Sequence, residues 1–299
     1  DDPCGRRPVS GRPVVVGVTG APSSQAATRW AAREALARHR VLRIVHAADY
    51  DTGDVPAWHR HARLVLSRAA ATARGAAPGV VLETVLVEQP PVAALEAEAL
   101  GAELLVLGAV GSGHPADGPA DPVLHRVLDR VRVPVAVVHA STAEGTGPVV
   151  VGLEYPRTDA ELLHDAHACA RRRGGVLRIV HALRPGHGSA PAATAVFAEL
   201  ARHWDERSDA VDVELEVVDD RPLPALLRAA EHAGLLVVGA RPHVGGLLRR
   251  STPEELACLA ACPVLLRPVG PAPGRDAQGA STADSERRGV AGSSRSSTG

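Results

Sequence analysis

Apolar residues in this chain come in short bursts. In the first half they fall near residues 14–19, 41–47, 81–87, 104–108 and 134–138, each a run rich in Val, Leu and Ile without clean alternation. That pattern predicts strands of a parallel sheet buried on both faces. Between the runs lie amphipathic stretches. "SSQAATRWAAREALARHR", 23–40, places a Ser at the expected cap, apolar residues at helical spacing, and Arg and His at the end, where cations suit the helix dipole. "PPVAALEAEALG", 90–101, opens on proline and closes on glycine, as helices do. Strands alternating with helices predict an open α/β sheet, β-α-β-α-β-α-β-α-β.

The pattern then repeats. "VLRIVHA" stands at 41–47 and again, letter for letter, at 176–182. "PVVVGV" at 13–18 answers "PVVVGL" at 148–153, "ELLVLGA" at 103–109 answers "GLLVVGA" at 234–240, and "RVPVAVV" at 132–138 answers "ACPVLLR" at 261–267. The order is the same in both halves, and the period is the size of a domain. Two tandem flavodoxin-like (Rossmann-like) α/β domains are therefore expected, each an open five-stranded parallel sheet flanked by helices. They occupy 13–140 and 148–270, joined by the small polar linker "STAEGTG", 141–147. Residues 1–12 and the Gly-, Ser- and charge-rich tail 271–299 are expected to be disordered, because they hold too little apolar surface to offset the entropy of ordering.

Composition narrows the chemistry. The chain has 299 residues, 45% of them hydrophobic, with a net charge of −1 and 2% aromatics. Neither a nucleic acid nor a membrane surface is expected as partner. No stretch approaches a membrane span, and the N-terminus "DDPCGRRPVSGR" carries no apolar signal core, so a cytoplasmic location is expected. The missing initiator Met is expected of a trimmed or incomplete N-terminus. The chain contains no Lys, which excludes a P-loop and lysine Schiff-base chemistry. Cys4, Cys169, Cys258 and Cys262 match no zinc or C-x-x-C spacing and are expected as buried or free thiols. His59 with His61 and His164 with His167 are not followed by a third ligand at an obvious spacing, so surface imidazoles are expected and no metal site. His46 and His181 end the two identical strands, where they either touch a bound small molecule or bond to backbone.

The opening strand, turn and helix "VVVGVTGAPSSQAATRWAAREA", 14–35, the strand "VLRIVHA" and the loop "VLGAVGSGHPADGPADPV", 106–123, together resemble the universal stress protein family in its tandem form. The resemblance covers nearly the whole ordered chain. Nucleotide-binding members of that family carry a glycine, two residues, a second glycine, nine residues, then glycine and a serine or threonine. Gly108 and Gly111 match the two glycines, but Asp121 and Pro122 stand where Gly-Ser belongs, and Thr19 replaces the family's nucleoside-reading Asp. Asp121 as an N-cap would occupy the helix N–H groups that a phosphate needs, and Pro122 removes one of them.

The second half departs differently. Gly239 keeps the first glycine, Pro242 replaces the second, and the loop "ARPHVGGLLRRS", 240–251, is two residues shorter than the family spacing. Arg250 and Ser251 take the Gly-Ser place, and Glu154 takes that of Thr19. "TPEE" then predicts Thr252 as N-cap, Pro253 at the first helical position and Glu255 closing a capping box. Gly245, Gly246, Arg249, Arg250 and Ser251 either hold an anion through backbone amides and guanidiniums or form a solvated loop face.

No nucleophile, base and orienter are spaced as a catalytic set. The resemblance implies a non-catalytic binding or regulatory protein of the stress response, with degenerate nucleotide loops and no firmly implied cofactor. Its partners would be an unknown protein, the other half in an internal pseudo-dimer, or a second copy in a homodimer. An alternative reading is an ATP- or nucleotide-binding sensor using one half. A third is a nucleotide hydrolase, which would need a positioned base and a metal carboxylate.

Overall fold

The computed structural model describes residues 11–48, 55–109, 122–140, 147–155, 159–183, 190–206, 210–240 and 251–269. The first half runs β1 (Val14–Gly17), α1 (Pro22–Arg38), β2 (Leu42–Ala47), α2 (Val55–Ala76), β3 (Leu82–Val87), α3 (Pro91–Leu100), β4 (Leu104–Ala109), α4 (Pro122–Arg130) and β5 (Val135–His139). The second repeats it as β6 (Val149–Gly152), α5 (Ala160–Arg173), β7 (Leu177–Leu183), α6 (Ala190–Asp205), β8 (Val213–Asp219), α7 (Pro222–Ala230), β9 (Leu235–Ala240), α8 (Thr252–Leu259) and β10 (Val264–Pro268).

The Val runs form strands because both their faces are covered. Val14, Val15 and Val16 are each 0% exposed. Val14 and Val16 pack with α1 and α2, while Val15 packs with Leu95 and Ala99 of α3 and Val127 of α4. A run without alternation is what such a strand requires. The α1 face toward the sheet is built from Ala26, Ala27, Ala31, Ala32 and Ala35, which let the helix axis approach the strands closely.

Within each half the strand order is 3-2-1-4-5, all parallel. The strands of both halves belong to one ten-stranded sheet, β3-β2-β1-β4-β5-β10-β9-β6-β7-β8. Its central pair is the antiparallel one, with Val137 opposite Val264, Ala136 opposite Leu265 and Val135 opposite Leu266. One helical layer holds α1, α2, α5 and α6, the other α3, α4, α7 and α8. Because the central pair is antiparallel, the carboxyl ends of the two parallel sets point to opposite edges of the sheet.

Helix ends follow local chemistry. α1 starts two residues earlier than a cap at Ser23 would place it. Ala21 is the N-cap, with no side-chain cap bond, and Pro22 opens the helix, its missing N–H costing nothing there. At the far end His39 takes the left-handed conformation, φ 55°, and Gly174 does the same after α5, φ 60°. Each closes its helix with a bond to the carbonyl four residues back, to Ala35 and Ala170.

Candidate functional site

Ligands of open α/β sheets sit beyond the carboxyl ends of the strands, where the strand order reverses. Here that point lies between β1 and β4 in the first half and between β6 and β9 in the second. A cavity opens at each. The first, about 120 Å³, is floored by Gly17, Val45, Leu107 and Gly108; the second, about 190 Å³, by Gly152, Val180, Val238 and Gly239. Three helix starts converge on each cavity: Ser24, Pro91 and Val123 from α1, α3 and α4, and Asp159, Pro222 and Thr252 at the starts of α5, α7 and α8.

The lip after the opening strand is held by one side chain in each half. In the first, Ser24 Oγ accepts from the N–H groups of Gly20 at 3.2 Å and Thr19 at 3.4 Å. In the second, Asp159 Oδ2 accepts from Tyr155 at 2.8 Å and Glu154 at 2.9 Å, with Asp159 itself 3% exposed. The same turn is thus pinned by a neutral hydroxyl in one half and by a carboxylate, with the shorter charge-assisted bonds, in the other. Sequence reasoning missed Ser24 and Asp159. The repeat held the signal, since aligning the two copies of "VLRIVHA" sets Ser24 opposite Asp159.

Thr19 is exposed at the first cavity, and its Oγ1 accepts from Ala21 N–H at 3.4 Å, a local turn bond. Gly108 lies inside β4. A Cβ there would sit 2.6 Å from the backbone C and O of Ser23 and 2.7 Å from the N of Ser24, so glycine is required by the packing of β4 on the first turn of α1. Gly239 meets only the Val269 and Leu162 side chains at that position. Glu154 is exposed at the lip of the second cavity.

Ser251, not Thr252, is the N-cap of α8. Its backbone is extended, φ −72° and ψ 155°, and its N–H donates to Glu254 at 3.1 Å. The capping box expected from Thr252 and Glu255 therefore sits one residue earlier, with Thr252 inside the first turn and on the cavity wall and Pro253 second. Pro122 opens α4, as expected. Gly111, Asp121, Pro242, Gly245, Gly246, Arg249 and Arg250 lie outside the described residues.

The histidines bond to backbone. His46 Nδ1 lies 2.7 Å from the Val18 carbonyl oxygen and His181 Nδ1 2.9 Å from that of Leu153. Both turn from the cavities: their neighbours Val45 and Ala47, and Val180 and Ala182, line the pockets, while His181 stacks on Phe197 of α6. His164 and His167 pack against Trp204, with ring centroids 6.0 Å and 5.0 Å away. Among the described residues no three His, Cys, Asp or Glu are placed to hold a metal ion. Cys169, Cys258 and Cys262 form no disulfide among the described residues. Burial pushes the Cys262 thiol up to about 12, and burial likewise raises that of Cys169, so neither is a thiolate at neutral pH.

The chain is a duplicated, doubly wound α/β sheet with a cavity at the switch point of each half. The sequence profile of the Universal stress protein family matches residues 11–139 and 146–268. Universal stress protein Rv2005c of Mycobacterium tuberculosis is 30% identical over 282 residues, covering 85% of this chain and 96% of that protein. Universal stress protein Rv2623 of the same organism is also 30% identical, over 85% of this chain and 95% of its own length. A universal stress protein crystal structure from Archaeoglobus fulgidus superposes with a TM-score of 0.70 at 18% identity, covering 85% of this chain and 98% of that one. This chain belongs to the universal stress protein family. No helix among the described residues is long and apolar enough to cross a membrane.

Proposed function

We propose that this protein is a non-catalytic binding and regulatory protein of the stress response whose working pocket lies in its second half. The observation that carries this reading is the inequality of two cavities built from the same positions, about 190 Å³ against 120 Å³. The larger is walled by Leu162, Val180, Leu226, Val238 and Leu256, an apolar slot with Glu154, Asp159 and Thr252 as its polar groups. Asp159 is engaged in holding the lip, which supports a role in shaping the pocket rather than in proton transfer.

A nucleotide is the ligand class that the geometry favours. The starts of α5, α7 and α8 converge on the slot. The capping box of Ser251 and Glu254 takes up the start of α8, and α5 and α7, whose starts have no side-chain cap bond, are the N-terminal dipole ends that would attract phosphate. In the first half the sequence sets a carboxylate, Asp121, immediately before the start of α4, where the second half has the neutral Ser251 before α8. Calorimetric titration of the full chain with ATP and Mg²⁺ tests both statements. One site is expected in the wild type, and a second site in the chain carrying Asp121→Gly with Pro122→Ser. No heat in the wild type, or loss of ATP during the titration, would overturn the reading.

A further inference from the structure

The two halves meet at the central strand pair and at a second contact, between α1 and α5, whose residues are not the same in the two copies. The left-handed caps His39 and Gly174 fix the alignment of the two helices. Five positions before each cap stand Glu34 and Cys169; one position before each stand Arg38 and Arg173; two before stand Ala37 and Arg172. Glu34, 5% exposed, is the sealed member. Its carboxylate lies 2.7 Å from Arg38 in its own helix and 3.4 Å from both Arg172 and Arg173 across the junction. Arg172 Nη2 also donates to Cys169 Sγ at 3.2 Å, and the Arg173 guanidinium lies 5.8 Å from the centroid of the Trp30 ring. Arg38 is anchored in turn by Glu103 at 2.9 Å.

We infer that this contact is a pairing code: the α1–β5 face of the first half accepts the α5–β10 face of a second half and rejects a copy of itself. The argument is one of charge in a closed space. A second half placed against another second half would bring Arg172 and Arg173 together twice, with Cys169 where the carboxylate should be. A first half against another first half would enclose Glu34 twice, with the other copy's Arg38 in the place of Arg173 but Ala37 in the place of Arg172. Only the mixed junction sets one buried carboxylate among three guanidiniums, those of Arg38, Arg172 and Arg173. Two first halves would set two carboxylates between two guanidiniums, and two second halves four guanidiniums around none; a buried charge short of partners is strongly destabilising. The facing residues of β5 and β10 are all Val, Ala and Leu and carry no charge to discriminate with. A polar contact at the seam is His139 Nε2 of β5, 2.8 Å from the Ala257 carbonyl oxygen of α8, and it does not involve the Glu34 carboxylate.

Two full-length variants test the code. One carries Glu34→Arg; the other carries Arg172→Glu with Arg173→Glu. Each mismatches its own junction and is expected to melt about 10 °C below the wild type, with faster hydrogen exchange at 135–137 and 264–266. Mixed after unfolding and refolded together, the two chains can match both junctions only by exchanging halves. A one-to-one two-chain species in native mass spectrometry, melting near the wild type, is expected. All three changes in one chain should restore a single-chain species of near-wild-type stability, which keeps the test decisive if a mismatched chain fails to fold alone. Variants that melt like the wild type would overturn the inference. So would mismatched chains whose lost stability returns neither on mixing nor in the triple variant, since the contact would then stabilise without selecting.

Discussion

Removing the Asp159 carboxylate tests whether the second cavity owes its shape to that side chain. Asp159 Oδ2 holds two backbone N–H groups, Tyr155 at 2.8 Å and Glu154 at 2.9 Å, from a position 3% exposed. Hydrogen bonds to a charged group contribute about 1.5–3 kcal/mol each. Asp159→Ala removes both, but it also relieves the cost of keeping a carboxylate out of water, which offsets part of the loss. A net destabilisation of about 3 kcal/mol follows, or a melting temperature about 6–12 °C lower for a protein of this size class. The repeat supplies its own control. Ser24 makes the equivalent bonds with a neutral hydroxyl at 3.2 and 3.4 Å, so Ser24→Ala should cost about 1 kcal/mol, or about 2–4 °C. Asp159→Ser, which copies the first half into the second, should fall between the two. Calorimetric melts of the three variants, with hydrogen exchange at the Glu154 and Tyr155 amides, give the measurement. If Ser24→Ala costs as much as Asp159→Ala, or those two amides stay protected in Asp159→Ala, the lip is held by something else and the reasoning fails.

Other outcomes follow from the same geometry. Gly108→Ala forces a Cβ to within 2.6 Å of the Ser23 backbone, so α1 must shift; a loss of about 1–3 kcal/mol is expected in a chemical denaturation curve, against a smaller loss for Gly239→Ala, which meets side chains only. His39→Gly should stabilise the protein by about 1 kcal/mol in the same assay, because His39 bears a left-handed strain that Gly174 avoids in the second half. Burial opposes ionisation of Glu34, but the guanidiniums of Arg38, Arg173 and Arg172 outweigh it and hold the carboxyl below its ordinary 4.5. The stability this contributes is present in full above that value and is lost as pH falls through the lowered one. Melting temperatures measured from pH 6 downward should therefore decline more steeply in the wild type than in Glu34→Gln once the pH passes below 4.5.

The strands were legible because a residue run such as Val14–Val16 leaves no polar face, and only a doubly covered strand tolerates that. The duplication was legible because "VLRIVHA" is written twice. The cap of α8 was not, since Ser251 and Thr252 are both good caps; what selects Ser251 is its extended backbone and the reach of Glu254 to its N–H. The cap of α1 misled for a related reason: Ser24 is used, but for the N–H groups of the preceding turn rather than for those of its own helix. The Glu34–Arg172 contact spans 138 residues and joins positions that differ between the copies, so neither local pattern nor the repeat announces it. Gly108 was noticed as a glycine of a phosphate loop, and its packing against Ser23 is a reason for glycine that no spacing reveals.

A pocket in the second half that binds without turnover is tested most directly by titrating ATP and Mg²⁺ into methyl-labelled full-length protein while recording its phosphorus spectrum. Shifts at Val180, Val238 and Leu256, with Val45, Leu107 and Leu124 unmoved and the ATP signals intact after hours, are the predicted result. Shifts confined to Val45, Leu107 and Leu124, or the growth of ADP and phosphate signals, would contradict it.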